Sequence, residues 1–164
     1  MKLERFPLGR PKLGLLPGSH KYPFILEEDF VYLWPGYKNW KPFDICVPKG
    51  YQTDLLSIPK VLWPILSPFG AGAWGALPHD ELYSTRFSLP GQSDSDARAM
   101  ADRILFDAAK DSGASQVRAG IIYSGVRAGG WWPWKQGSAE EASDDLQAMV
   151  EATERWQRGN ITKL

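Results

Sequence analysis

The chain has 164 residues, enough for one domain with a substantial hydrophobic core. Its hydrophobic content of 43% and charged content of 23% are those of a folded globular protein rather than a disordered tail. Nineteen basic and nineteen acidic residues cancel, which excludes a broad electrostatic footprint for nucleic acid.

Charge is unevenly placed. Lys2, Arg5, Arg10, Lys12 and Lys21 face only Glu4 at the start, while Glu140, Glu141, Asp144, Asp145 and Glu151 mark an acidic stretch near the end. Either run can be a solvated face, or the two can pair within the molecule or between copies, so self-association is one expectation. No stretch has the length of a membrane span or the apolar core of a signal peptide, so synthesis and folding in a reducing cytoplasm are expected. Cys46 stands alone, which rules out an internal disulfide, and its apolar surroundings predict a buried, inert thiol.

In chain order, residues 1 to 23 are rich in proline and glycine and read as an extended arm with little regular structure. Phe24-Ile25-Leu26 and Phe30 to Trp34 read as strands around the acidic turn Glu27-Glu28-Asp29. Phe43 to Val47 is a third strand, closed by Pro48-Lys49-Gly50. The second half is helical. Pro78 suits the first position of a helix, which puts His79, Asp80 and Glu81 in its first turn. A second helix runs from Ser93 or Asp94 to about Lys110, with Ala97, Ala101, Ile104 and Ala108 inward and Asp102 at the edge of that stripe. A third runs from about Ser115 to Gly129-Gly130. The last opens at Ser138 in a capping box and turns Ala142, Leu146, Met149, Val150, Thr153 and Trp156 inward. The expected fold is therefore α+β. A small antiparallel sheet is packed by three to four helices in a single domain over residues 24–164, preceded by the arm.

The chemistry concentrates at His79-Asp80-Glu81-Leu82-Tyr83 and at Asp102. Only two histidines exist, His20 and His79, so an imidazole beside a carboxylate and a phenol stands out from the composition. His79 and Tyr83 share a helix face. An imidazole carries protons at neutral pH, and a carboxylate orients it or holds a metal. The candidate catalytic residues are His79, Asp102 and Tyr83. Asp80 and Asp54 are candidate ligands for a divalent cation such as calcium. Against that stand structural readings: a buried imidazole bonded to Asp102 or Asp54, and Asp54 capping backbone amides of the turn that follows it. Ser57 lacks the glycine-flanked elbow of an esterase nucleophile, and no phosphate loop, dinucleotide fingerprint or zinc helix is present. Trp131-Trp132-Pro133-Trp134 is either a docking patch or a cap on the core.

Four segments resemble domain-of-unknown-function family 1353. Val47 to Pro59 is similar to its P-x-G-[FY]-x-T-D-x-A-S-I-P signature, and His79 to Tyr83 to its H-D-x-L-Y. Ala101-Asp102 through Phe106 is similar to its A-D helix, and Tyr123 to Gly130 to its Y-x-x-V-R-x-x-G close. The likeness covers about residues 43 to 131, in the right order. Pro78 departs from it, since an ordinary helix former is more typical before the histidine. The family occurs largely in bacteriophages and prophages and has no established activity. The resemblance thus implies a virion-associated structural or accessory protein of tail or capsid. Its partners would be other virion proteins, and its location the host cytoplasm and then the particle. The H-D-x-x-Y spacing of His79, Asp80 and Tyr83 is also similar to the helix of phospholipases of the A2 type. That likeness implies an alternative, a small metal-dependent hydrolase acting on lipid or cell-envelope bonds. In it His79 is the base, Asp80 the calcium ligand, Tyr83 a positioning phenol and Asp102 the orienting acid, with Gly70-Ala71-Gly72 standing in for the calcium loop. The disulfide framework of those enzymes is missing here, and the loop lies much closer to the histidine.

Overall fold

In a computed structural model the described residues are 2–19, 22–54, 72–129, 134 and 139–161. Five short strands come first: β1 (Leu13–Leu15), β2 (Phe24–Leu26), β3 (Phe30–Trp34), β4 (Phe43–Val47) and β5 (Gln52–Thr53). Among the described residues four helices follow: α1 (Ala76–Ser84), α2 (Asp94–Asp111), α3 (Gln116–Gly129) and α4 (Ala139–Ile161). This is the expected α+β arrangement, strands in the first half and helices in the second.

The strands form two small antiparallel sheets, not one. β2 is flanked by β1 and β5, while β3 pairs only with β4, in the register Phe30↔Val47 to Trp34↔Phe43. The acidic segment Glu27–Asp29 is therefore a crossing between sheets and not a hairpin turn, which corrects the simplest reading of two adjacent strands. Both faces of the β3–β4 pair are covered, which explains why its sequence is a continuous apolar run and not an alternation. Phe30, Tyr32, Trp34, Ile45 and Val47 point into the main core with α1 and α2. Val31, Leu33 and Cys46 point the other way, onto Ala152 and Trp156 of α4. Cys46 is fully buried, and burial pushes its thiol up to about 11.

The arm is extended, yet it is also built into the fold. It carries a 3-10 turn at Leu3–Arg5 and supplies β1. Phe6 is buried and stacks on Phe30 and Tyr32 at 5.7 and 5.1 Å between ring centroids. Lys2 Nζ pairs with Asp111 Oδ1 at 3.2 Å and Lys12 Nζ with Glu28 Oε1 at 2.7 Å, so two of its bases find acids outside α4.

Helix α1 starts two residues before Pro78, led in by a 3-10 turn at Ala73–Gly75. Pro78 is its third residue, still within the first turn, where a missing amide hydrogen costs no helical bond. His79, Asp80 and Glu81 consequently lie two residues further into the helix than expected. Helix α2 is capped by Ser93, whose Oγ accepts from the Asp96 amide. Its small inward residues let the chain before α1 come close: a Cβ on Gly75 would fall 2.4 Å from the Ala109 amide nitrogen. On α4 the inward face holds Ala142, Met149 and Ala152, whereas Val150, expected inside, is exposed. The proposed capping serine Ser138 lies outside the described residues, as do Ser57, Gly70, Ala71, Trp131 and Trp132.

Candidate functional site

Asp102 is the centre of the site. It is fully buried on α2, and an isolated carboxylate there would be neutralised or expelled. Here three helices supply donors to it. Oδ1 accepts from the Tyr83 hydroxyl at 2.5 Å and faces His79 Nε2 at 3.3 Å, both from α1. Oδ2 accepts from Arg127 Nη1 of α3 at 2.6 Å, with Arg98 Nη1 one turn earlier on α2 at 3.8 Å. Burial alone would raise the Asp102 carboxyl, but the bonds from His79, Tyr83 and Arg127 outweigh it and hold it below the usual range.

His79 is sandwiched between two carboxylates. Its Nδ1 lies 3.1 Å from Asp80 Oδ1, and its Nε2 faces Asp102. Burial pulls the imidazole down, yet the bonds to Asp102 and Asp80 overcome this and raise it to about 8. At neutral pH the ring is an imidazolium that donates from both nitrogens. Its plane packs on Tyr83, with centroids 4.2 Å apart. Tyr83 in turn meets the edge of Trp134, which is buried and donates from Nε1 to Asp94 at 2.6 Å. Of the tryptophan cluster, Trp134 is thus a core residue. Burial, reinforced by Asp102, pushes the Tyr83 phenol far up, so it stays a hydrogen donor.

The acids assigned to a metal stand differently. The Asp80 side chain is 29% exposed, and burial together with the Asp54 charge raises its carboxyl, against the lowering effect of His79. Asp54 is half-buried just beyond β5 and acts on Asp80 through its charge. Among the described residues, no three His, Cys, Asp or Glu side chains converge to hold a metal ion. The structure therefore brings His79, Asp80, Tyr83 and Asp102 into one cluster, with Asp54 at its margin. At Gly72, the described part of the proposed calcium loop, a Cβ would fall 2.7 Å from Ala114 Cβ and 3.2 Å from the Ala109 carbonyl, near the C-terminal end of α2.

Residues 25–126, more than half of the chain, match the family described as "Protein of unknown function (DUF1353)". The chain belongs to the DUF1353 family. The match starts before the strand Phe30–Trp34 and ends just short of Arg127, so all the α1 and α2 members of the cluster lie inside it. No curated protein and no solved structure matches the chain.

Two members of the site were not picked out by residue type. Arg127 is the shortest ion-pair partner of Asp102, and only its place four residues after Tyr123 on a helix hinted at an inward direction. Glu81 is 1% exposed, with no hydrogen-bond partner for either carboxylate oxygen among the described residues. Burial, then the charges of Asp145 and Asp80, drive its carboxyl well above the usual value. Its i+4 relation to the buried Leu77 was the one available signal.

Proposed function

We propose that this DUF1353 protein is a bacteriophage virion-associated component, structural or accessory and without turnover. The family likeness in its four motifs supplies the phage context, and the state of His79 supplies the absence of turnover. A general base needs a free lone pair near the operating pH. In His79 both ring nitrogens face carboxylates of the chain itself, and the ring is charged at neutral pH. That single observation favours architecture over acid–base chemistry. The cluster then serves to lock α1, α2 and α3 together around one buried charge. Other virion proteins are the proposed partners, with exposed Leu8 and Leu15 on the arm as contact points. No helix among the described residues is long and apolar enough to cross a membrane.

Quantitative mass spectrometry of gradient-purified particles of the encoding phage tests this. A fixed copy number per particle that survives a high-salt wash is the expected result. Recovery of the chain only in the soluble lysate would overturn the virion assignment. The alternative, a hydrolase with His79 as base and Asp80 and Asp54 on a divalent cation, requires His79 to titrate below neutrality and the protein to respond to the ion.

A further inference from the structure

The buried cluster carries more positive charge than its own carboxylates neutralise. His79, Arg98 and Arg127 stand around Asp102 and Asp80, three basic side chains against two carboxylates. The two arginines are also under-used. Arg127 directs Nη1 to Asp102 Oδ2, and its side chain, which carries further donors, remains 32% exposed. Arg98 Nη1 lies 3.8 Å from the same oxygen, beyond hydrogen-bond reach. That nitrogen is buried with no hydrogen-bond acceptor among the described residues, although the side chain as a whole is 16% exposed. Buried donors are nearly always satisfied, so an unsatisfied guanidinium nitrogen beside a second, half-open guanidinium calls for an acceptor.

We propose that Arg98 of α2 and Arg127 of α3 together bind a phosphate-class oxyanion at the solvent edge of the Asp102 cluster. Both Nη1 atoms lie within 3.8 Å of one oxygen, so a single compact anion can reach both guanidiniums. Asp102 is planar and buried and holds one fork in place; the second arginine needs acceptor oxygens in another direction, which a tetrahedral anion supplies. Arginine forks suit such oxygens because they form paired, charge-assisted bonds. Anion binding at this pair goes beyond the virion assignment and is independent of it, since a virion component and an enzyme could both use it.

The test uses the full chain and inorganic phosphate at constant ionic strength. Side-chain nitrogen NMR is expected to show saturable shifts at Arg98 and Arg127, with the exposed Arg155 unmoved. Arg98→Gln, which removes the guanidinium while Arg127, His79 and Tyr83 keep their bonds to Asp102, is expected to weaken binding roughly tenfold or more. Chloride producing the same shifts, or Arg98→Gln binding as tightly as the parent chain, would overturn the site. Because the NMR readout on the unmodified chain stands alone, a misfolded variant would not rescue or sink it. Co-sedimentation with phosphatidylcholine vesicles containing phosphatidic acid separates the sources. Vesicle binding lost in Arg98→Gln assigns a lipid headgroup, and binding of free phosphate alone assigns a soluble phosphate. Response to neither rejects the proposal.

Discussion

At the residue scale, stability at this site depends on how buried charges are matched. Asp102→Asn leaves His79 and Arg127 facing a neutral amide, and removing one member of a buried pair costs about 3–5 kcal/mol. Urea denaturation at pH 7 measures it; a loss under about 1 kcal/mol would mean the cluster carries little stability. The pH dependence follows in sign. His79 is raised from 6.5 to about 8, so its contribution is complete below pH 6.5 and disappears as the pH climbs through about 8. Asp102 is lowered, so its contribution holds above about pH 3.8 and fades on further acidification. His79→Gln should therefore flatten the decline in stability between pH 6.5 and 8, and a decline that persists in the variant belongs to another group. Glu81 is raised as well, which makes it costly above its unfolded value near 4.5 and harmless below it. Glu81→Met removes two unsatisfied oxygens at similar volume and should stabilise the chain by roughly 1–3 kcal/mol at pH 8. The gain should shrink below pH 4.5; destabilisation at pH 8 would show that Glu81 has a partner after all. His79, Tyr83 and Asp102 were readable from sequence because histidine is rare here and helical spacing aligns the first two. Arg127 and Glu81 were not, because their roles depend on what faces them from other elements.

At the scale of elements, the crossing of α1 and α2 sets the site. Gly75 is needed there because any Cβ would strike the α2 backbone at Ala108 and Ala109. Gly75→Ala should cost about 1–3 kcal/mol by overpacking and shift the distance between His79 and Asp102. Gly120→Ala, in open space within α3, should instead gain about 0.5–1 kcal/mol. Equal effects in thermal melts of the two variants would contradict this packing. Helix positions were legible to within a few residues, since caps such as Ser93 and the Ala97–Ala108 stripe are local signals. The start of α1 was not, because Pro78 is acceptable anywhere in a first turn and so does not mark its beginning. Sheet partnership was also hidden. Apolar runs say that β2 and β3 are strands, but only the covering of both faces of β3–β4 by helices decides that they part company.

At the scale of the molecule, the arm joins the fold through one ring. Phe6 is as buried as the sheet residues it stacks on, and proline and glycine around it disguise this in the sequence. Phe6→Ala should cost about 3–5 kcal/mol, whereas a free arm would show no loss. A cation bound at a hundred times its dissociation constant would add about 2.7 kcal/mol, or roughly 5–10 °C in midpoint for a chain of this size. Calcium, magnesium and zinc should leave the midpoint unchanged if the cluster is architecture, and Asp80→Ala would abolish any rise that a true ligand set produced. The fold class and family could be read from the chain because they rest on patterns; the state of the site could not, because it rests on contacts among three helices. The most direct measurement is a nitrogen-15 NMR titration of the His79 ring. Protons on both Nδ1 and Nε2 at pH 7 and a midpoint near 8 are the expected result. A neutral ring at pH 7 with one bare nitrogen would contradict it and make His79 a base.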